Sequence, residues 1–113
     1  MKFWNHLLIG LFFSFGHYNS SFATGVGTGN ISFILSNSSG QVFFRTTTAQ
    51  SQPTCSTEGW AFDMNGGNAV GGKAMLALLI AAQAAGKQVS IIGKGNCDVW
   101  GDRESVSYVV VLS

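Results

Sequence analysis

One long segment, residues 69–86, constrains the fold of this 113-residue chain more than any other. Strong helix formers (Ala, Leu, Met, Gln and Lys) fill most of it, so we predict a helix that ends in a left-handed C-cap at Gly86. Its apolar residues form two stripes at helical spacing: Val70, Ala74, Ala77, Leu78, Ala81 and Ala85 on one, and Met75, Leu79 and Ala82 on the other. A helix that is apolar nearly all round must be covered on more than one side. One stripe therefore faces the core of the domain, and the other needs a further partner.

Strand-like runs flank this helix, three before it and two after it. They are rich in β-branched and aromatic residues and are separated by turn clusters, and Asn68 stands where an N-cap of the helix is expected. The predicted strands are 30–35, 41–48, 57–64, 87–93 and 104–112. Five strands with a helix between the third and the fourth is the layout of an OB-fold, a small, partly open Greek-key barrel. In that fold the helix would plug one end of the barrel.

Residues 1–23 have the features of a secretory signal peptide. A lysine near the start precedes an apolar run, 7–15, that is too short to span a bilayer. If the peptide is cleaved after Ala23, small residues occupy the last position before the cleavage site (Ala23) and the third position before it (Ser21), as signal peptidases require. An N-terminal membrane anchor is the alternative interpretation. We predict that the chain is exported through the periplasm and secreted, and that 24–113 forms a single domain.

Cys55 and Cys97 are the only cysteines in the chain. In an exported protein such a pair predicts a disulfide. The bond would close a loop of about 40 residues, which the chain-entropy model values at roughly 4 kcal/mol. A metal site would need more ligands, and there is no CxxC redox motif.

The composition argues against most catalytic and nucleic-acid functions. Both histidines, His6 and His17, lie in the predicted signal peptide, which excludes Ser–His catalysis and His-ligated metals in the domain. Outside the predicted signal peptide the chain has five basic and five acidic residues. It therefore has no excess of positive charge with which to bind nucleic acid. We therefore predict a non-enzymatic protein without a cofactor or metal.

Two clusters leave alternatives open. Asp98, Asp102 and Glu104 could supply a carboxylate pair for acid–base chemistry, or form a solvated loop beside Arg103. Glycine pairs at 66–67 and 71–72 flank the helix start, as in a phosphate loop, but the P-loop motif is absent.

Aromatic and short polar side chains are what remains for function, and they suit sugars, whose CH faces stack on rings. Trp60, Trp100, Phe43, Phe44 and Tyr108 supply the rings. Packing in the core is the alternative for each of them. We favour the core for Phe43, Phe44 and Trp60, and leave Trp100 open between the two.

A set of short motifs in a common order suggests a family. Thr28-Gly29 opens the first strand, Trp60 lies in the third strand, an apolar helix follows, residues 86–91 read GKQVSI, and Lys94 is followed by Trp100. In these features the chain resembles the B subunits of AB5 toxins of the subtilase-cytotoxin and pertussis-like group, which includes the typhoid toxin's B subunit. Those proteins have Ser-Gly or a similar pair at the first position and GQxVRI at the fourth strand.

The resemblance implies an OB-fold homopentamer that binds cell-surface glycans, often sialylated. It also implies a catalytic A subunit, of the ADP-ribosyltransferase or subtilase type, held on the face where the helices line a central pore. The pore-side positions of the helix would be Lys73, Ala77, Ala81 and Ala84. The alternative is a secreted or periplasmic OB-fold module that binds a protein or small ligand without a toxin partner.

The resemblance also indicates a sugar site. Thr28 matches a serine on the first strand that contacts sugar in the family, whereas Ile92-Gly93 stands where the family has an aromatic pair that includes a sugar-contacting tyrosine. Lys94 follows the strand that borders this region, and Trp100 is the best loop candidate for stacking. We therefore predict Thr28, Lys94 and Trp100 as glycan contacts.

Export and oxidation can be tested together. Protein recovered after export should begin near Thr24 and carry no free thiol, because the signal is removed and the two cysteines are joined. Intact-mass measurement with and without reduction, combined with alkylation, checks both points. A full-length mass, or two thiols that alkylate before reduction, would contradict the prediction.

Overall fold

A computed structural model describes residues 24–48 and 53–113, so the predicted signal peptide lies outside the described residues. The described chain is mainly β with one helix. A 3-10 turn, Gly66–Asn68, leads into that helix. In chain order the elements are β1 (Val26–Gly29), β2 (Ile31–Ser36), β3 (Gln41–Thr46), β4 (Trp60–Asp63), α1 (Ala69–Ala85), β5 (Val89–Gly93) and β6 (Glu104–Val111).

The six strands form one mixed sheet in the order β1-β5-β6-β4-β3-β2. Every neighbouring pair is antiparallel except β4 and β6, which run parallel and pair only at Trp60↔Glu104 and Ala61↔Ser105. The strands at the two ends of this order, β1 and β2, are consecutive in the chain and separated only by Asn30. The sheet therefore curls into a half-barrel.

The structure has six separate strands where five were predicted, because β1 was not expected. The segment VGTG has little intrinsic strand preference, but it pairs with β5 from Val26↔Ile92 to Gly29↔Val89. Non-local pairing thus overrides weak local propensity. The chain bends between β1 and β2 at Gly29, whose φ is +138°, and a Cβ there would lie 2.7 Å from the Thr47 hydroxyl.

The ends of the helix confirm one expectation and correct another. Gly86 has a left-handed φ of 67°, and the Lys87 N–H donates to the Ala82 carbonyl at 2.9 Å, as in a Schellman motif. Asn68, however, makes no side-chain cap, because the 3-10 turn continues the helix backwards to Asn65, which has the extended backbone of an N-cap. The Asn68 amide instead donates to Asp63 Oδ1 at 3.2 Å.

One of the two helix stripes packs against the concave face of the sheet. Leu79 and Ala82 are fully buried, whereas Val70 on the other stripe is 84% exposed. A Cβ on Gly72 would lie 2.3 Å from the Asp63 carbonyl oxygen, so glycine allows the helix to approach the end of β4. The core below the helix contains Ile31, Val42, Phe44, Trp60, Phe62, Val89, Ile91, Val106 and Val109.

By length and composition alone, 66–85 is the one helical stretch in the described residues that could cross a membrane. Core helices of water-soluble proteins also satisfy this criterion. Here the stretch includes the residues that pack on the sheet.

The disulfide is confirmed: Cys55 and Cys97 are bonded, with their Cα atoms 6.1 Å apart. As predicted, it joins the connection before β4 to the connection after β5. The burial predicted for Phe43, Phe44 and Trp60 is also confirmed, since all three are at most 5% exposed. Phe44 and Trp60 belong to the core beneath the helix, whereas Phe43 is buried on the other face of the sheet.

A buried carboxylate, that of Glu104, ties several parts of the sheet together. Glu104 is 0% exposed, and its Oε2 accepts hydrogen bonds from the backbone N–H groups of Gly25 (2.8 Å) and Gly95 (2.9 Å). A Cβ on Gly93 would lie 1.9 Å from Oε2, so the carboxylate occupies the space of a missing side chain. Glu104 thereby joins the segment before β1 to the β5–β6 connection.

Removing this carboxylate should destabilise the domain far more than removing an exposed one. Glu104→Ala leaves the buried Gly25 N–H and the part-buried Gly95 N–H without their acceptor and opens a cavity, at a cost of about 3 kcal/mol or more. Glu58→Ala is the matched control, because Glu58 pairs with Arg45 at 2.6 Å in a half-exposed ion pair worth under about 1 kcal/mol. Urea unfolding of the oxidised proteins gives both values, and equal losses would contradict the structural role of Glu104.

Candidate functional site

The three predicted glycan contacts lie in three different places. Thr28 is exposed on β1, opposite Ser90 of β5. Lys94 borders a cleft beside the start of the helix. It lies four residues beyond Ser90, about 13 Å along the strand direction. Trp100 packs on Phe43. Only Thr28 lies on a flat, exposed part of the sheet, and the roles of Lys94 and Trp100 in sugar binding stay predictions.

Thr28 belongs to a surface on the convex side of β1, β5 and β6, which we name the outer platform. Two rows of cross-strand neighbours build it, Val26–Ile92–Tyr108 and Thr28–Ser90–Val110. Neighbouring strands lie about 4.8 Å apart, so each row spans about 10 Å. Its large side chains are unusually open: Val26 is 45% exposed, Tyr108 52% and Val110 42%. The platform therefore combines one exposed ring with the hydroxyls of Thr28 and Ser90.

Tyr108 was not among the predicted site residues, although it was noted as an aromatic. It is the register partner of Ile92, the position where the resemblance suggested an aromatic side chain. An aromatic ring is thus supplied to this region by the neighbouring strand. The strand pattern of residues 104–112 indicates which residues share a side of the strand with Tyr108. Only the register of β5 against β6 shows that Tyr108 lies beside Ile92.

Trp100 is part of a second aromatic group that covers Phe43 on the convex side of β3. The ring centroids of Phe43 and Trp100 are 5.7 Å apart, and those of Phe43 and Phe33 are 5.6 Å apart. The guanidinium of Arg103 lies 4.3 Å from the Phe43 ring centroid, and that of Arg45 lies 5.2 Å from it. Trp100 is half-buried, so the group holds the β5–β6 connection onto the sheet.

The cleft at Lys94 has a volume of about 210 Å³. It opens where β4 and β6 separate after their last paired residues, Ala61 and Ser105. The start of α1 forms its third wall. Its lining includes Asp63, Asn68, Gly71, Met75, Lys94 and Ser107.

The predicted acidic cluster does not form one site. Asp98 accepts a hydrogen bond from the Ser105 hydroxyl, Asp102 pairs with Arg103 at 2.7 Å, and Glu104 binds backbone N–H groups in the interior. Residues 24–48 and 53–113 contain no group of three or more His, Cys, Asp or Glu side chains arranged to hold a metal ion.

The predicted pore-side residues of the helix are exposed. Lys73, Ala77, Ala81 and Ala84 all face away from the sheet. Around them Leu78 is 42% exposed and Ile80 is 52% exposed. The outward side of α1 is therefore a continuous surface of small and apolar side chains, interrupted mainly by Lys73 and Gln83.

No family model matches this sequence, and comparisons with curated proteins and with solved structures also give no match.

Proposed function

We propose that this chain is the non-catalytic, glycan-binding B subunit of an AB5-type toxin. In this proposal the domain forms a homopentamer, binds cell-surface glycans through the outer platform and carries a catalytic A subunit. The observation that carries the proposal is the presence of an exposed ring, Tyr108, and the hydroxyls of Thr28 and Ser90 on one face of the sheet.

The finer description of the fold belongs to this proposal. If β1 and β2 are counted as two halves of one strand bent at Asn30, the sheet has five strands and its first strand pairs at both ends of the order. Such an order of strands, with a helix between the third and fourth, supports a partly open OB-fold barrel. In that numbering the parallel pair β4–β6 joins the third and the fifth strand.

Ring formation is supported by the outward side of α1. An exposed apolar surface on a helix is a site for association, and small residues at Ala77, Ala81 and Ala84 allow two helices to approach closely. A cyclic assembly would bury this surface in every protomer. Helices at the centre of such a ring would line a pore for an A subunit.

Glycan binding is supported by the chemistry of the outer platform. The Tyr108 ring is open for stacking against the CH face of a sugar, and Thr28 and Ser90 supply hydroxyls that both donate and accept. No charged side chain stands among the six platform residues, so the contacts would be stacking and neutral hydrogen bonds. Each such hydrogen bond contributes about 0.5–1.5 kcal/mol.

The ring makes a direct prediction about mass. Light scattering of the mature protein should give the mass of five protomers, and Ala77→Glu should give monomers because it places a carboxylate in the contact between helices. Gln83→Glu, which changes a polar exposed position of the same helix, should still assemble. A wild-type monomer at micromolar concentration would rule out the ring and favour the module without a toxin partner.

Sugar binding makes a prediction about single residues. Thr28→Ala and Tyr108→Ala should each weaken monovalent glycan binding by up to roughly tenfold, through loss of a hydrogen bond or of stacking. Binding to cells should fall more steeply, because avidity multiplies the loss at each site. A glycan array identifies the ligand, and calorimetry then compares the variants.

Ser38→Ala, in the exposed β2–β3 turn, is the control for loss of a surface hydroxyl. Trp100→Ala tests the loop residue predicted from the sequence. If Thr28→Ala and Tyr108→Ala assemble normally and bind glycan like the wild type, the platform is not the site, even if the ring forms.

A further inference from the structure

The cleft beside the helix start is lined by a glycine, Gly71, that the packing of the domain does not require. Gly71 is the third residue of α1 and lines the cleft, and apart from its chain neighbours and the backbone of its own helix no atom lies within 4 Å of the position a Cβ would take there. Glycine in a helix is less stable than alanine. Gly72, in contrast, is required by the closeness of the Asp63 carbonyl. Gly71 keeps open a space that the domain itself does not fill.

The opposite wall of the cleft is shaped by a β-bulge. Ile92 pairs with Tyr108 but the next residue, Gly93, pairs with Val106, so Ser107 is an extra residue in β6. A bulge re-aims a side chain, and bulges are frequent beside binding sites. Ser107 is exposed and lines the cleft, whereas its neighbours Val106 and Tyr108 face the core and the outer platform. The cleft thus has a hydroxyl that regular pairing would not place there.

Two opposite charges line this small space without pairing with each other. The ion pairs within the described part of the chain are Arg45–Glu58 and Arg103–Asp102, so neither Lys94 nor Asp63 takes part in one. Asp63 Oδ1 accepts hydrogen bonds from the Asn65 N–H (3.1 Å) and from the Asn68 amide, both neutral donors. Lys94 is exposed and Asp63 half-buried at this cleft, and a ligand that carries both charges would pair with each of them.

The remaining lining combines the polar residues Asn68 and Ser105 with apolar side chains. Met75 and Val99 are half-buried, and Phe62 and Val106 are buried. A volume of about 210 Å³ is below the range of about 300–1,000 Å³ typical of drug-sized ligands, so the occupant is a single small molecule.

We propose that this cleft binds a free α-amino acid as its zwitterion, at a site separate from the outer platform. The α-carboxylate faces Lys94 and Ser107, the α-ammonium faces Asp63, and an apolar side chain lies against Met75 and Val99. A single amino acid of the right size thus supplies a counter-charge both to Lys94 and to Asp63. The proposal does not depend on glycan binding or on a ring.

The test is a titration of the oxidised, mature protein with each L-amino acid at millimolar concentration, followed by NMR amide shifts and calorimetry. Apolar amino acids should shift amides of the cleft lining, and the N-acetyl and the amide derivative of the best ligand should bind much more weakly. Lys94→Met and Asp63→Asn should each weaken binding by about tenfold or more, as expected when one charge-assisted hydrogen bond is lost. Lys87→Met is the matched control outside the cleft and should bind normally.

Substitutions at Gly71 test the proposal in a second way, through the space in the cleft rather than its charges. Gly71→Val should abolish binding by filling the cleft, and Gly71→Ala should weaken it while raising the melting temperature, because alanine is the better helix former. Binding that is unchanged in Lys94→Met, Asp63→Asn and Gly71→Ala would overturn the proposal. So would an absence of shifts with every amino acid, or equal binding of a neutral sugar such as glucose.

Discussion

The buried carboxylate of Glu104 is the interaction on which the rest of the structure depends. A polar group in the interior is unfavourable unless it is hydrogen-bonded, and Glu104 meets this condition at Oε2 alone, since its buried Oε1 has no partner among the described residues. Here the donors are the backbone N–H groups of Gly25 and Gly95, which belong to the segment before β1 and to the β5–β6 connection. Because β1 and β5 carry the outer platform and the β5–β6 connection carries Lys94, both candidate sites rest on this one side chain. Gly93 is part of the same arrangement, since any side chain there would displace the carboxylate.

Features determined by local sequence could be predicted, and features determined by pairing could not. The helix, its C-cap at Gly86 and its buried stripe follow from helix propensity and spacing, and the structure has all three. The strand β1 escaped prediction because GVGTG acquires its structure only through β5. Asn68 does precede the helix as expected, but its side chain makes no capping hydrogen bond, because a 3-10 turn leads into the helix.

The candidate sites show the same limit. Thr28 could be singled out from its position in a motif. Its register partner Ser90 lies 62 residues further along the sequence and Tyr108, in the other row of the platform, lies 80 residues further, so only the register of three strands brings them to one surface. Nothing in the amino-acid sequence around Ser107 predicts the β-bulge there. The two glycine pairs at the helix start were visible in the sequence, and the structure gives them different roles: Gly72 permits close packing and Gly71 leaves open space.

The disulfide closes a loop that contains only part of the fold, and the stability of the whole domain depends on it. The loop between Cys55 and Cys97 encloses β4, α1 and β5, whereas β1, β2, β3 and β6 lie outside it. Closing such a loop contributes roughly 4 kcal/mol, a large part of the 5–15 kcal/mol that stabilises a typical domain. The reduced domain therefore keeps only part of the free energy of unfolding that the oxidised domain has. Reducing conditions should shift the folding equilibrium toward the unfolded chain, and the protein is best produced where the bond can form.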